Sequence, residues 1–309
     1  MANLGSILNL VNCGLNAVLG TGTKGCKPFM SKVTAISFVP SGFKLDSTRT
    51  LDDEYFTELQ ASGKLIHLKG IRTFTDNSSD DSIEEMEDGT KQVSKYGKYE
   101  FLVNFVKGMY FNAALTSLNS FGSYDVILWD RDGNGLGTKA INGSLKGFTV
   151  GMIQTSRLIW ATDTTNQKEG LAFQMLERAE MDSDYVFISK GNLNFNPNQK
   201  DGINEVVVSF PSAPADASTS ITLKAVTKQD SQPFTGALFT DFIVKRDGAN
   251  ANPTAGDDSV TGGTYVLTTT INSTNEVLAA GLYNNELNQS VIALDTDLYK
   301  SNTATATVI

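Results

Sequence analysis

Alternation of apolar and polar positions dominates the 309-residue chain. The segments KVTAISFV, KLIHLKGIRTFT and KYEFLVNFVKG are rich in β-branched and aromatic residues at near-alternate positions, the pattern of strands with a buried face. SYDVILWD, GSLKGFTVGMI, SRLIWATD and LAFQMLERAE extend the series, the last two joined by the polar turn TTNQKEG. The helical period is clear in one place. Leu51, Tyr55, Phe56 and Leu59 share a face, Thr50 is placed to cap it with Asp53 three residues on, and Gly63 ends it. YFNAALTSLNSFG predicts a second short helix.

From Tyr185 the texture changes. After the polar connection NLNFNPNQKDG, seven short strands are predicted: EVVVSF, SITLKAVTK, DFIVKR, GTYVLTTT, EVLAAGLY, SVIALD and TATATVI. That density is expected of an immunoglobulin-type sandwich, without the Cys-Trp-Cys pattern of antibody domains. SFPSAPADAST and GANANPTAGDDSVTGG are predicted to be surface loops. The reading is mainly β, with an N-terminal arm over 1–30, a β domain over 31–184 and a β-sandwich over 185–309.

The arm itself is uncharged up to Lys24. Leu4, Leu8, Val11, Leu15 and Val18 form a helical stripe with Asn9, Asn12 and Asn16 opposite. A helix packed on its own domain is the plainer reading, but the glycines that follow would let the arm swing away, which predicts that residues 1 to about 25 act in trans on a neighbouring subunit. It has neither the basic start nor the unbroken apolar stretch of a secretory signal, and its asparagines make a poor membrane span. Cys13 and Cys26, without a nearby histidine, predict reduced thiols and no zinc site.

Charge narrows the function classes further. The formal net charge is −9, spread over both parts of the chain, which argues against general nucleic-acid affinity. Residues 76–88 (DNSSDDSIEEMED) hold seven acids and no base, so a solvated loop or β-extension is predicted there.

Candidate chemistry is sparse. In ILWDRDGNGLGT, Asp130, Asp132, Asn134 and Gly135 match the first four key positions of an EF-hand loop, but position twelve is Ile141 and the flanks read as strands. Asp-Gly and Asn-Gly between strands predict a β-hairpin turn instead. Gly20, Gly22 and Gly25 match a bare dinucleotide fingerprint, but an apolar arm precedes them and Pro28 follows, so a flexible linker is predicted. His67 is the only histidine and lies in an alternating strand. With no nucleophile, base and orienting group nameable together, no catalytic, cofactor-binding or metal residue is assigned, and the chain is read as non-enzymatic.

The segments FTDNSSDDSIEEMEDGTKQVSKYGKYEFLVNFVKG, SYDVILWDRDGNGLGT and LKGFTVGMI resemble tail-tube-like virion proteins of tailed bacteriophages, especially those of Bacteroidetes-infecting phages, over about residues 30–185. The resemblance implies a β-sandwich or barrel with one or two flanking helices, followed by an immunoglobulin-like domain. It further implies self-assembly into rings of a hexamer or more, in a tail tube or neck, forming an acidic conduit for DNA ejection. The implied partners are copies of itself and neighbouring tail or neck proteins, with no sequence-specific nucleic-acid binding and no membrane; the implied place is the virion, after synthesis in the host cytoplasm. The apolar arm departs from the simplest tail-tube pattern and leaves a neck or capsid-associated position open. The alternative is a cell-surface adhesin or carbohydrate-binding sandwich, in which Trp129 or Trp160 could stack a sugar; the alternating strand around Trp129 favours a core role for that residue.

Overall fold

The computed structural model describes residues 4, 30–140, 143–258, 262–271, 274–285, 289–294 and 297–309. The chain is mainly β and divides into two compact units, Met1–Lys200 and Asp201–Ile309.

The first unit runs β1 (Val33–Pro40), α1 (Asp53–Ala61), β2 (Ile66–Lys69), β3 (Thr73–Asp76), β4 (Ser82–Glu85), β5 (Lys91–Lys95) and β6 (Glu100–Phe105). It continues through α2 (Met109–Thr116), β7 (Ser120–Phe121), β8 (Tyr124–Asp130), β9 (Gly135–Lys139) and β10 (Leu145–Lys146). β11 (Phe148–Thr155), β12 (Glu169–Met175), α3 (Arg178–Asp182) and β13 (Tyr185–Ile188) complete it.

Strand β11 joins two layers. Phe148 and Thr149 pair with β8, and after a register shift between Val150 and Met152 the strand runs along β12. A bulge of this kind lets a strand turn a corner and leave one sheet for the next. One layer holds β1, β2, β8, β9, β10 and β13; the other holds β3, β6, β12 and β7. Ile36, Phe38, Val126 and Leu128 from the first layer meet Val103, Phe105, Leu171 and Phe173 from the second. The opposite face of β1 and β8 is covered as well: Ala35, Val39, Ile127 and Trp129 pack against Leu51, Tyr55, Phe56 and Leu59 around α1. Burial on both faces explains why VTAISFV and YDVILWD are nearly continuous apolar runs where a half-exposed strand would alternate cleanly.

Several local expectations are corrected. The cap of α1 is Asp52, whose Oδ1 accepts from Tyr55 N–H at 2.9 Å, and not Thr50. SRLIWATD forms no strand beyond a single bridge, Ile159 to Lys168, and the Arg-Ala-Glu of LAFQMLERAE turns into α3. The domain boundary expected at 184/185 falls at 200/201, because β13 pairs with β9 from Tyr185↔Thr138 to Ile188↔Gly135. Of the N-terminal stripe only Leu4 is described. It is fully buried in the α1-side core of its own unit, and its N–H donates to Arg49 O at 2.9 Å, so this residue docks in cis. Leu8, Val11, Leu15, Val18, the three linker glycines, Cys13, Cys26 and Ile141 lie outside the described residues.

The second unit has β14 (Ile203–Ser209), β15 (Ser220–Thr227), β16 (Phe242–Arg246), β17 (Ala249–Asn250), β18 (Ala255–Asp258), β19 (Thr264–Thr268), β20 (Val277–Leu282), β21 (Ile292–Leu294), β22 (Asp297–Ser301) and β23 (Ala304–Thr307). Six of them form a sheet ordered β18-β19-β15-β14-β22-β21, and four form a second ordered β17-β16-β20-β23. Val206, Leu223 and Leu267 from one sheet and Phe242, Val244 and Ala280 from the other share one core, as in a β-sandwich. The described residues thus hold ten strands where seven were expected. Two of the additional strands, β17 and β18, lie in the stretch expected to be a loop, and the third is β22.

Candidate functional site

One feature of the first unit that its core does not absorb is the hairpin β4–β5. It is built outward from a conventional pair. β3 and β6 pair from Thr73↔Asn104 to Asp76↔Phe101, and the ladder continues through Asn77 N–H to Glu100 O (2.8 Å) and Ser79 N–H to Lys98 O (3.0 Å). There the two chains cross closely. A Cβ on Gly97 would lie 1.9 Å from Ser79 O, so only glycine fits, and Gly97 N–H donates to Asp81 Oδ1 at 2.7 Å.

Beyond this stem, β4 and β5 form a two-stranded sheet of their own. Ile83 opposes Val93, Glu84 opposes Gln92 and Glu85 opposes Lys91; Ser82 opposes Lys95, with Ser94 bulged out between. The tip closes on Asp88, whose Oδ1 accepts from Thr90 N–H (2.9 Å) and Oγ1 (2.6 Å), and on Gly89 at φ +78. The Thr90 hydrogen bonds hold the Asp88 carboxyl below the ordinary aspartate range. Every residue of both strands is exposed, including Ile83 at 63% and Val93 at 37%.

A lone two-stranded hairpin is marginal in water. Here its base is held by Arg178 at the start of α3, which pairs with Asp81 and donates from Nε to Asp182 Oδ2 at 2.8 Å, while Tyr99 OH donates to Asp182. Asp81 is kept below the usual carboxyl range by Gly97 N–H and Arg178, and Asp182 by Tyr99 and Arg178. The same bond to Asp182 pushes the Tyr99 hydroxyl up. These groups line a polar depression at the stem whose one arginine is already matched by two carboxylates.

The residues singled out in the sequence fall elsewhere. Asp130, Asp132 and Asn134 form the turn of the β8–β9 hairpin. Asp130 is buried, and its carboxylate accepts four N–H groups: Asp132 N and Asn134 N at Oδ1 (2.9 and 2.7 Å), Asn134 Nδ2 and Ser31 N at Oδ2 (3.0 and 3.2 Å). Asn134 Oδ1 in turn accepts from Lys190 N–H at 2.9 Å. These oxygens serve the turn and the crossing chains. Gly135 is required by Trp129, whose Cζ3 would lie 2.5 Å from a Cβ there.

His67 sits in a buried chain of bonds. Trp129 Nε1–H donates to Ser37 Oγ, Ser37 Oγ is 2.8 Å from His67 Nδ1, and His67 Nε2 is 2.8 Å from Pro197 O. Because a carbonyl only accepts, Nε2 carries the proton and Nδ1 accepts from Ser37. A serine beside a histidine is the pairing of a nucleophile with its base, but Ser37 and His67 lie inside the α1-side core, out of reach of a substrate. Trp129 is buried with them, whereas Trp160 is 64% exposed beside the half-exposed Ile159.

Sequence reasoning missed the basic half of the hairpin and its arginine clamp. The signal for the first was present: Asp88-Gly89 is a turn dipeptide, and KQVSK after it alternates. Arg178 lies 97 residues from Asp81 and carried no such signal.

No family model matches the chain, and no curated protein matches it. Among solved structures it is similar to SGBP-B of the Bacteroides ovatus mixed-linkage glucan utilization locus, in complex with a mixed-linkage heptasaccharide, at 12% identity and a TM-score of 0.20. The match covers 90% of this chain and 60% of that one, so the chain spans about three fifths of that protein's length.

Proposed function

We propose that the chain is a non-enzymatic structural subunit that assembles with copies of itself into a ring, in the manner of the tail-tube or neck proteins of tailed phages, and that the ring surrounds an acidic conduit for DNA. The observation that carries this reading is the β4–β5 hairpin. It presents apolar side chains and two strand edges to solvent, and its base is clamped to the body. Exposed edges invite strand addition, and a hairpin held out from the body by a clamp supports reading it as an element of assembly. The net charge of −9 suits a channel wall that DNA must slide past without adhering. Negative-stain microscopy and sedimentation velocity of the purified chain test the proposal: rings or stacked tubes are expected, and a protein that stays monomeric at every concentration refutes it.

Exposed Trp160 favours a second reading, a carbohydrate-binding surface, since an indole face in solvent can stack on a sugar ring. A glycan array separates the two. Saturable binding abolished by Trp160→Ala, in a protein that forms no rings, would replace assembly with recognition.

A further inference from the structure

We propose that one end of the first unit, where β3 begins, β6 and β11 stop and β12 starts, is a surface that rests on an anionic lipid bilayer. The inference is independent of the ring reading and names a partner that the tail-tube resemblance does not imply. Register brings the pieces of this surface together. Thr73 opposes Asn104 and Phe105 opposes Glu169, so Arg72 and residues 106–110 leave the layer at the same end as the β11–β12 connection. That connection continues as a narrow ladder, with Ser156 N–H donating to Gly170 O (2.9 Å), Ile159 and Lys168 exchanging bonds of 3.0 Å, and Thr162 N–H donating to Thr165 O (2.9 Å). Buried Glu169 fastens the two segments: its Oε2 accepts from Lys107 N–H (2.9 Å), and its Oε1 accepts from Gly108 N–H (3.2 Å) and Gln167 Nε2 (2.9 Å).

Five large apolar side chains are exposed at this end, each by 44% or more: Val106, Met109, Tyr110, Ile159 and Trp160. Helix α2 adds to them, since Tyr110, Ala113 and Ala114 share an exposed face and no charged residue occurs from Gly108 to Tyr124. Apolar groups gathered in solvent mark a contact surface. Charge selects the partner. Residues 70–72, 105–116 and 156–169 carry four cations, Arg72, Lys107, Arg157 and Lys168, and two acids, Asp163 and Glu169. Glu169 is buried with its oxygens taken by N–H groups, so this end is basic in a chain whose net charge is −9. An indole, a phenol and aliphatic side chains accompanied by Lys and Arg suit the boundary between headgroups and acyl chains. There the aromatic rings settle at headgroup level, the aliphatic groups enter the hydrocarbon and the cations stay with anionic headgroups. A nucleic acid would use the cations and the two rings but leave Val106, Met109 and Ile159 without a role.

The test uses the full chain with vesicles of equimolar phosphatidylglycerol and phosphatidylcholine, and vesicles of phosphatidylcholine alone as the reference. Trp129 is 1% exposed, Trp160 is 64% exposed and the chain has no third tryptophan, so Trp160 reports the contact. In the free protein iodide should quench one of the two; on anionic vesicles the emission should shift to the blue, escape iodide and be quenched by brominated acyl chains. Flotation should show binding at least about tenfold weaker to phosphatidylcholine alone, and at least about tenfold weaker in Arg157→Gln/Lys168→Gln and in Tyr110→Ala/Trp160→Ala. If the aromatic variant lowers the unfolding midpoint, the charge variant and the brominated-lipid quenching of wild type decide the matter. A wild-type chain that does not float with anionic vesicles overturns the proposal, as does a Trp160 that iodide cannot reach in the free chain because another segment covers it. An oligodeoxynucleotide that perturbs Trp160 when vesicles do not would make this a nucleic-acid surface, and variants that lose self-association yet float as before would make it a subunit contact; either result overturns it. Rings that never float leave the assembly reading intact, and monomers that float leave the membrane contact intact, so the two readings fail separately.

Discussion

Replacing Ser37 by alanine removes one oxygen from the centre of the first unit and strands two other groups. Trp129 Nε1–H loses its acceptor and His67 Nδ1 its donor, in a place where neither side chain is more than 4% exposed. A buried polar group left without a partner costs about 1–3 kcal/mol, so the two together should cost about 2–6 kcal/mol. For a unit of this size, about 2–4 °C of melting temperature is lost per kcal/mol, and a fall of about 4–24 °C is expected. Ser94→Ala, on the exposed hairpin strand, is the control and should change stability by less than about 0.5 kcal/mol. The sharper measurement is a double-mutant cycle. Trp129→Phe removes the stranded donor itself, so Ser37→Ala/Trp129→Phe should cost about 1 kcal/mol less than the sum of the single changes. Calorimetry or circular dichroism melts give all four values. A Ser37→Ala shift below about 2 °C, or strict additivity in the cycle, would refute the linked chain from Trp129 to Pro197.

Four further outcomes follow from the same geometry. Burial raises the Asp125 carboxyl against the opposing Gly42 N–H bond, so the folded state holds its proton more tightly than the unfolded chain; stability falls as pH rises from the ordinary value near 3.8 through the raised one. Asp125→Asn should therefore gain on wild type from pH 4 to pH 7 in urea unfolding, and a gain that shrinks over that range contradicts this. Calcium and chelator should give the same melting temperature, because four N–H groups already occupy the Asp130 carboxylate; a rise of several degrees with calcium would show the turn to be a metal loop. Leu4→Ala should destabilise the isolated subunit by about 2–5 kcal/mol, whereas an arm acting only on a neighbour would leave its midpoint unchanged. Arg178→Ala should speed amide exchange across residues 76–99 without lowering the global midpoint, and unchanged exchange there would mean that the clamp does not hold the hairpin.

Much of the β architecture was legible along the chain because strand formation is a local matter of alternation and turn residues. Period-two segments, Asp-Gly and Asn-Gly dipeptides and the apolar face of α1 each follow from residues within one or two turns of one another. The same holds for the exposure of the acidic run, since seven acids without a base resist burial wherever they are placed.

What required the tertiary structure are the relations that no local period encodes. Tyr185–Ile188 read as the start of the second unit until β9 was seen to take it as a partner, which moved the boundary to 200/201. SRLIWATD has the composition of a strand but only a single bridge, so its apolar residues Ile159 and Trp160 remain outside. Ser37, His67 and Trp129 are 30 and 92 residues apart, and only the packing of β1 between β2 and β8 turns three unremarkable residues into a hydrogen-bonded chain. The hairpin divides along the same line: its acids and lysines are plain in the sequence, but their distribution over the two faces depends on the β4–β5 register, and the hold of Arg178 on its base depends on a contact between distant segments. Local chemistry chose the strands, and long-range pairing decided which of them joined the two layers of the first unit and which, like β4 and β5, paired only with each other among the described residues.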